Sequence, residues 1–133
     1  MLVLGASVTI AACGGSSKIT EIDPATNPKV YFAFDSSAIS DEARNNLLGQ
    51  SLYLKNNETQ KILIEGHCDE RGTAEYNLAL GARRASAAKS VIVKDGVDAK
   101  RIDTISYGKE RPAVAGSGES VWKWNRNAAT VAK

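Results

Sequence analysis

The segment KILIEGHCDERGTAEYNLALGARRASAAKSVIVKDG, Lys61 to Gly96, restricts this chain to one kind of fold. It opens with a short apolar run bounded by polar residues, which has the length and composition of a buried strand. A charged loop follows. Leu78, Ala82, Ala85 and Ile92 then recur at helical spacing as far as Gly96, a residue suited to the left-handed turn that stops a helix. A buried strand feeding an amphipathic helix must lay that helix back over a sheet, because neither element covers its apolar side alone.

The flanking segments supply the rest of the sheet. VYFAF, Val30 to Phe34, is β-branched and aromatic and is bounded by Pro28 and by Asp35-Ser36-Ser37, the signature of a first strand. Ser40 followed by Asp41 and Glu42 predicts a helix N-cap with acidic residues at the positive end of the dipole. That helix is expected to run to about Asn56, with Ala43, Leu47 and Leu54 on one face. RIDTISYG predicts a weaker strand, and NAATVAK at the end an edge strand of low propensity. The 133 residues are a one-domain length. The expected class is an α/β (α+β) sandwich: a small mixed β-sheet of βαβαββ type, with two main helices on one face. Tyr76 is expected in the core, as is one of Trp122 and Trp124, the other being partly exposed.

The 17 Lys and Arg are nearly balanced by 15 Asp and Glu, and every one of these charges lies at or beyond Lys18. A scattered, balanced set argues against nucleic-acid binding, which needs a clustered basic face to neutralise phosphates. The uncharged leader MLVLGASVTIAACGGSS is too short for a bilayer span, which takes about 20 apolar residues. Its IAAC resembles a lipobox, the signal at which lipoprotein precursors are cut before a Cys that then carries lipid. Residues 1–12 are accordingly expected to be a leader, residues 13–29 a lipidated N-terminus at Cys13 and a flexible tether containing GGSS, and residues 30–133 the folded domain. With Cys13 acylated, Cys68 has no internal partner for a disulfide.

The loop EGHCDERGTAEYN crowds reactive side chains together, and several chemistries compete for it. His67 and Cys68 are neighbours at a strand end and point to opposite faces, which opposes a Cys–His dyad. The chain has a single His, too little for an ordinary zinc site, and no calcium-loop pattern. The loop can equally be a solvated turn with Gly72 at positive φ and Cys68 as a small filler. In a fourth reading Asp69 and Arg84, the latter brought back by the next helix, capture a ligand carrying both an ammonium and a carboxylate. Spacing alone does not separate that from a structural Asp–Arg ion pair.

Taken together, VYFAFDSSAI, IEGHCDERGTAEYNLALGARRA, GVDAKRIDTISYGKERP and the late NRN resemble the OmpA-like domain family, and within it the peptidoglycan-associated lipoproteins, from about Val30 to Arg126. The resemblance implies a non-enzymatic anchor without metal or cofactor, held by lipid on the periplasmic face of a Gram-negative outer membrane. It implies that the wall is gripped through the meso-diaminopimelate of the peptidoglycan stem peptide. On that likeness Asp69 and Arg84 are the binding pair, and Phe34, Asp35, Asn77 and Leu80 line the same pocket. The implied protein partners are TolB and other Tol proteins, acting in division and envelope integrity. A wall anchor outside the Tol system, or a periplasmic thiol or metal-dependent hydrolase using His67, Cys68 and Asp69, are the alternatives. Cys68 replaces a Thr usual in the family, and Asn127 and Ala128 stand where relatives have Arg and a strongly apolar residue, so the final strand is expected to be loosely held.

Overall fold

The computed structural model describes residues 18–133, and Cys13 and the leader lie outside the described residues. Strand β1 is Lys29–Tyr31, helix α1 Asp41–Asn56, strand β2 Ile62–His67, helix α2 Ala74–Lys94, strand β3 Ile102–Gly108, helix α3 Glu119–Asn125 and strand β4 Asn127–Ala132. The sheet order is β1-β4-β2-β3. β2 and β3 run parallel, joined by the α2 crossover, while β4 lies antiparallel to both β1 and β2. This is a mixed, α+β arrangement in which α1 and α2 cover one sheet face.

The helix boundaries follow from local chemistry. Ser40 accepts a hydrogen bond from the Ala43 amide and so satisfies one of the otherwise orphaned donors of α1. Thr73 caps α2 in the same way through Tyr76 N, and Gly96 follows the Asp95 cap at φ 112°. Between the layers Val30, Phe32, Leu47, Leu54, Ile62, Ile64, Ala85, Ala88, Ile92 and Ile102 form one apolar core. Residues 18–29 do not stand apart from it: the Ile22 amide bonds to the Gly49 carbonyl at 2.9 Å, and the Thr130 amide to Pro28 O at 3.0 Å.

Several expectations need correcting. β1 is shorter than VYFAF, because from Phe32 onward the chain leaves the ladder after the Phe32 amide has bonded to Arg126 O. The last strand is not an edge strand: β4 sits between β1 and β2, with Asn127 to Thr130 all buried. Ala128 joins the apolar core, so modest propensity is compatible with a central place once packing decides. On α2, Leu78 and Ala82 face solvent, and the buried stripe is Asn77, Leu80, Gly81, Arg84, Ala85, Ala88, Val91 and Ile92. The short helix α3 carries Trp122 and Trp124 at the surface, with neither in the core, and Tyr76 is 46% exposed.

One close approach fixes where α2 sits. A Cβ on Gly66 would lie 1.8 Å from Gly81 O, and one on Gly81 2.3 Å from Ser106 Oγ. Only two residues without side chains let the helix backbone touch the strand here. The contact fixes the first half of α2, and with it Arg84 one turn further on, against the end of β2.

Candidate functional site

Where β2 ends, three chain segments converge: residues 33–36 after β1, residues 67–72 after β2, and the first turns of α2. They enclose a pocket of about 170 Å³ lined by Phe34, Asp35, Cys68, Asp69, Arg71, Gly72, Tyr76, Asn77, Leu80 and Arg84. All six side chains singled out around Asp69 and Arg84 are among these. Gly72, at φ 97°, turns the loop across the mouth.

Arg84 is 1% exposed, and three of its N–H groups are used by the fold. Nε donates to Ser36 O at 2.8 Å, Nη1 to His67 O at 2.9 Å and Nη2 to Ala33 O at 3.1 Å. A guanidinium has five N–H donors, so one on each terminal nitrogen remains beyond the three backbone carbonyls, with the Cys68 sulfur as a neighbouring acceptor. Burial opposes its charge, with Asp69 and Asp35 among the groups that favour it.

Asp69 is 4% exposed and does not pair with Arg84. Its Oδ1 accepts from the Arg71 amide at 3.0 Å, an Asx-type turn, and from Arg71 Nε at 3.2 Å. Oδ2 accepts from Arg71 Nη2 at 2.7 Å and from Arg126 Nη1 at 3.5 Å. Burial raises the Asp69 carboxyl, but the bonds from Arg71 and Arg126 outweigh it and leave the group below the usual carboxylate range. Arg126 in turn grips both oxygens of Glu119 at 2.9 and 2.7 Å and donates to Phe32 O at 2.9 Å. Two carboxylates and two guanidiniums thus form a ring behind the pocket, closed by Arg71 and Glu119 at 4.0 Å.

Sequence reasoning missed Arg71 and Arg126. The Arg71 guanidinium lies 3.8 Å from the Phe34 ring centroid and 3.9 Å from that of Trp122, between two aromatic faces. Glu70 Oε2 accepts from Trp122 Nε1 at 2.7 Å and also from Ser117 Oγ, which ties the 109–118 loop and α3 to the pocket rim. On the opposite rim Tyr76 donates its hydroxyl to Asp35, which has φ 52°. Arg71 sits two residues after Asp69, so an Asx turn was the available signal. For Arg126, 57 residues away from Asp69, no local signal existed.

The arrangement does not suit nucleophilic chemistry. Cys68 Sγ contacts the Asn77 carbonyl at 3.2 Å inside the fold, and burial raises the thiol above its ordinary value. His67 turns its Nε2 to Glu65 at 3.3 Å, away from the sulfur. Among the described residues no group of three His, Cys, Asp or Glu is disposed to hold a metal ion. No helix among them is long and apolar enough to cross a membrane.

Comparison with known proteins identifies the family and the fold. The family profile described as "OmpA family" matches residues 31–126. A peptidoglycan-associated lipoprotein of Mesorhizobium japonicum is 44% identical over 128 residues, covering 96% of this chain and 75% of its own. One of Haemophilus influenzae is 38% identical over 143 residues, covering 96% and 93%. Among solved structures, the peptidoglycan-associated lipoprotein of Burkholderia pseudomallei superposes with a TM-score of 0.79 at 41% identity, over 83% of this chain and 93% of that one.

Proposed function

Because this chain belongs to the OmpA family, we propose that it is an outer-membrane lipoprotein, facing the periplasm, that grips peptidoglycan without a covalent bond. Domains of this kind are structural wall-binding proteins and not enzymes. Residues 1–12 serve as the leader and Cys13 carries the lipid; the tether is the stretch from Cys13 to Ser17, because part of residues 18–29 packs with the domain that holds the wall.

The observation that carries the reading is the single pocket that gathers Phe34, Asp35, Asp69, Asn77, Leu80 and Arg84 from three separate segments. It offers a guanidinium with N–H groups beyond those bonded to backbone carbonyls, and it offers carboxylates within the same small volume. The free end of meso-diaminopimelate has the complementary chemistry. Its carboxylate takes the remaining Arg84 donors, and its ammonium meets Asp69 and Asp35. Leu80 and Phe34 receive the methylene stem. Asp69 already holds Arg71, so an incoming ammonium shares or replaces a resident cation.

The name borne by the relatives supports wall association. The role in the Tol system, through TolB, rests on the family likeness alone. The test is co-sedimentation of the protein with purified diaminopimelate-containing peptidoglycan. Wild type is expected to pellet, while Asp69→Ala and Arg84→Ala, each first shown to be folded, stay in solution. Equal pelleting of all three refutes the site.

A further inference from the structure

A second concavity, larger than the pocket, lies on the other side of α3. It encloses about 630 Å³ between the segment from Lys18 to Ile22, the start of α1 and strand β1. That is within the range of about 300–1,000 Å³ usual for small-molecule sites. Its lining includes two exposed aromatic rings, Tyr31 at 40% and Trp124 at 44%, which meet edge to face with centroids 5.6 Å apart. Around them stand the amides of Asn27, Asn45 and Asn46, the last already bonded to Asn27 O and Gln50, and the carboxylate of Glu42.

We propose that this groove is a saccharide subsite, which receives the N-acetylated glycan strand of the wall whose stem peptide enters the Asp69–Arg84 pocket. The proposal rests on the wall-binding reading. Three features favour that occupant over others. Aromatic rings with amides beside them match a pyranose, which has apolar C–H faces and a rim of hydroxyl and acetamido groups that both donate and accept. The lining charges, Lys18 and Lys29 against Glu42, leave one net positive charge and include no guanidinium, so they suit an uncharged chain better than a polyphosphate.

The third feature is continuity with the pocket. Trp122 and Trp124 lie on the same helix, and two residues turn roughly 200° around its axis. Trp122 therefore packs on Arg71 at the pocket while Trp124 meets Tyr31 in the groove. Tyr31 and Phe34 are three residues apart, or about 10 Å of extended chain. One polymer with a peptide branch is thus able to occupy both.

The experiment titrates the purified protein by calorimetry with two probes, tetra-N-acetylchitotetraose and a diaminopimelate-containing stem tripeptide. The oligosaccharide is expected to bind wild type and Asp69→Ala alike. Trp124→Ala is expected to weaken it at least fivefold, and Trp124→Phe to restore part of the loss. The tripeptide is expected to bind wild type and Trp124→Ala alike and to lose Asp69→Ala. No oligosaccharide binding to wild type, or equal binding to wild type and Trp124→Ala, overturns the groove and leaves the pocket standing. If instead the tripeptide fails to bind wild type, the wall-binding reading of the pocket falls, and with it the joint occupancy on which the subsite rests.

Discussion

Arg84→Ala should unfold the domain more readily by about 3 kcal/mol, whatever it does to ligand binding. The side chain is almost fully buried, and its donors reach three backbone carbonyls. A hydrogen bond to a charged group contributes about 1.5–3 kcal/mol when both groups are buried, and the bond to His67 O is of that kind. The bonds to Ser36 O and Ala33 O are only partly buried, so water replaces some of each, and about 1 kcal/mol apiece is the fair allowance. Against this stands the relief of a desolvated charge, which recovers part of the total. The remainder corresponds to a fall of about 10 °C in Tm for a domain of this size. Urea unfolding followed by the fluorescence of Trp122 and Trp124 measures it directly. A loss below about 1 kcal/mol with an unchanged m-value would refute the claim that these bonds hold the 33–36 segment to the end of β2. The consequence is practical: a wall-binding defect in Arg84→Ala counts as a binding effect only under conditions where the variant is folded.

Three further outcomes are expected. Gly66→Ala forces a Cβ to within 1.8 Å of a helix carbonyl and should cost about 3 kcal/mol or more, read as a large drop in Tm or loss of folded protein; a near-native Tm would contradict the close helix–strand contact. Burial lowers the pKa of His67, only partly countered by Glu65, so the folded state disfavours the proton that the unfolded chain takes up near pH 6.5. Stability is therefore fully present above about pH 6.5 and declines as the pH falls below it, and His67→Gln should flatten the pH 5 to 7 part of a stability profile. Asp69 adds its own loss further down, below about pH 4, because its folded carboxyl titrates lower than the free one. Finally, Cys68 should react with a thiol reagent only as fast as the native protein opens, since the residue is 3% exposed and its pKa is raised. A rapid stoichiometric reaction in native buffer would disprove that burial.

The parts of this protein written in its sequence are those set by neighbours a few residues apart. Ser40 caps α1 by bonding three residues ahead, Gly96 ends α2, and the apolar run before His67 is a strand wherever it is placed. The ordered motif from Glu65 to Ala85 likewise carried the family and the pocket residues, because α2 follows the loop directly and returns Asn77, Leu80 and Arg84 to it at helical spacing. Tertiary structure alone decided the rest. β4 became a central strand because it pairs with β1 on one side and β2 on the other, which its propensity does not express. Asp69 took Arg71 and Arg126 as partners in place of Arg84, and Arg126 reaches Phe32 across 94 residues of chain. Contacts of that separation leave no periodicity in the sequence: they exist only once the sheet has brought both ends of the domain to one edge of the pocket.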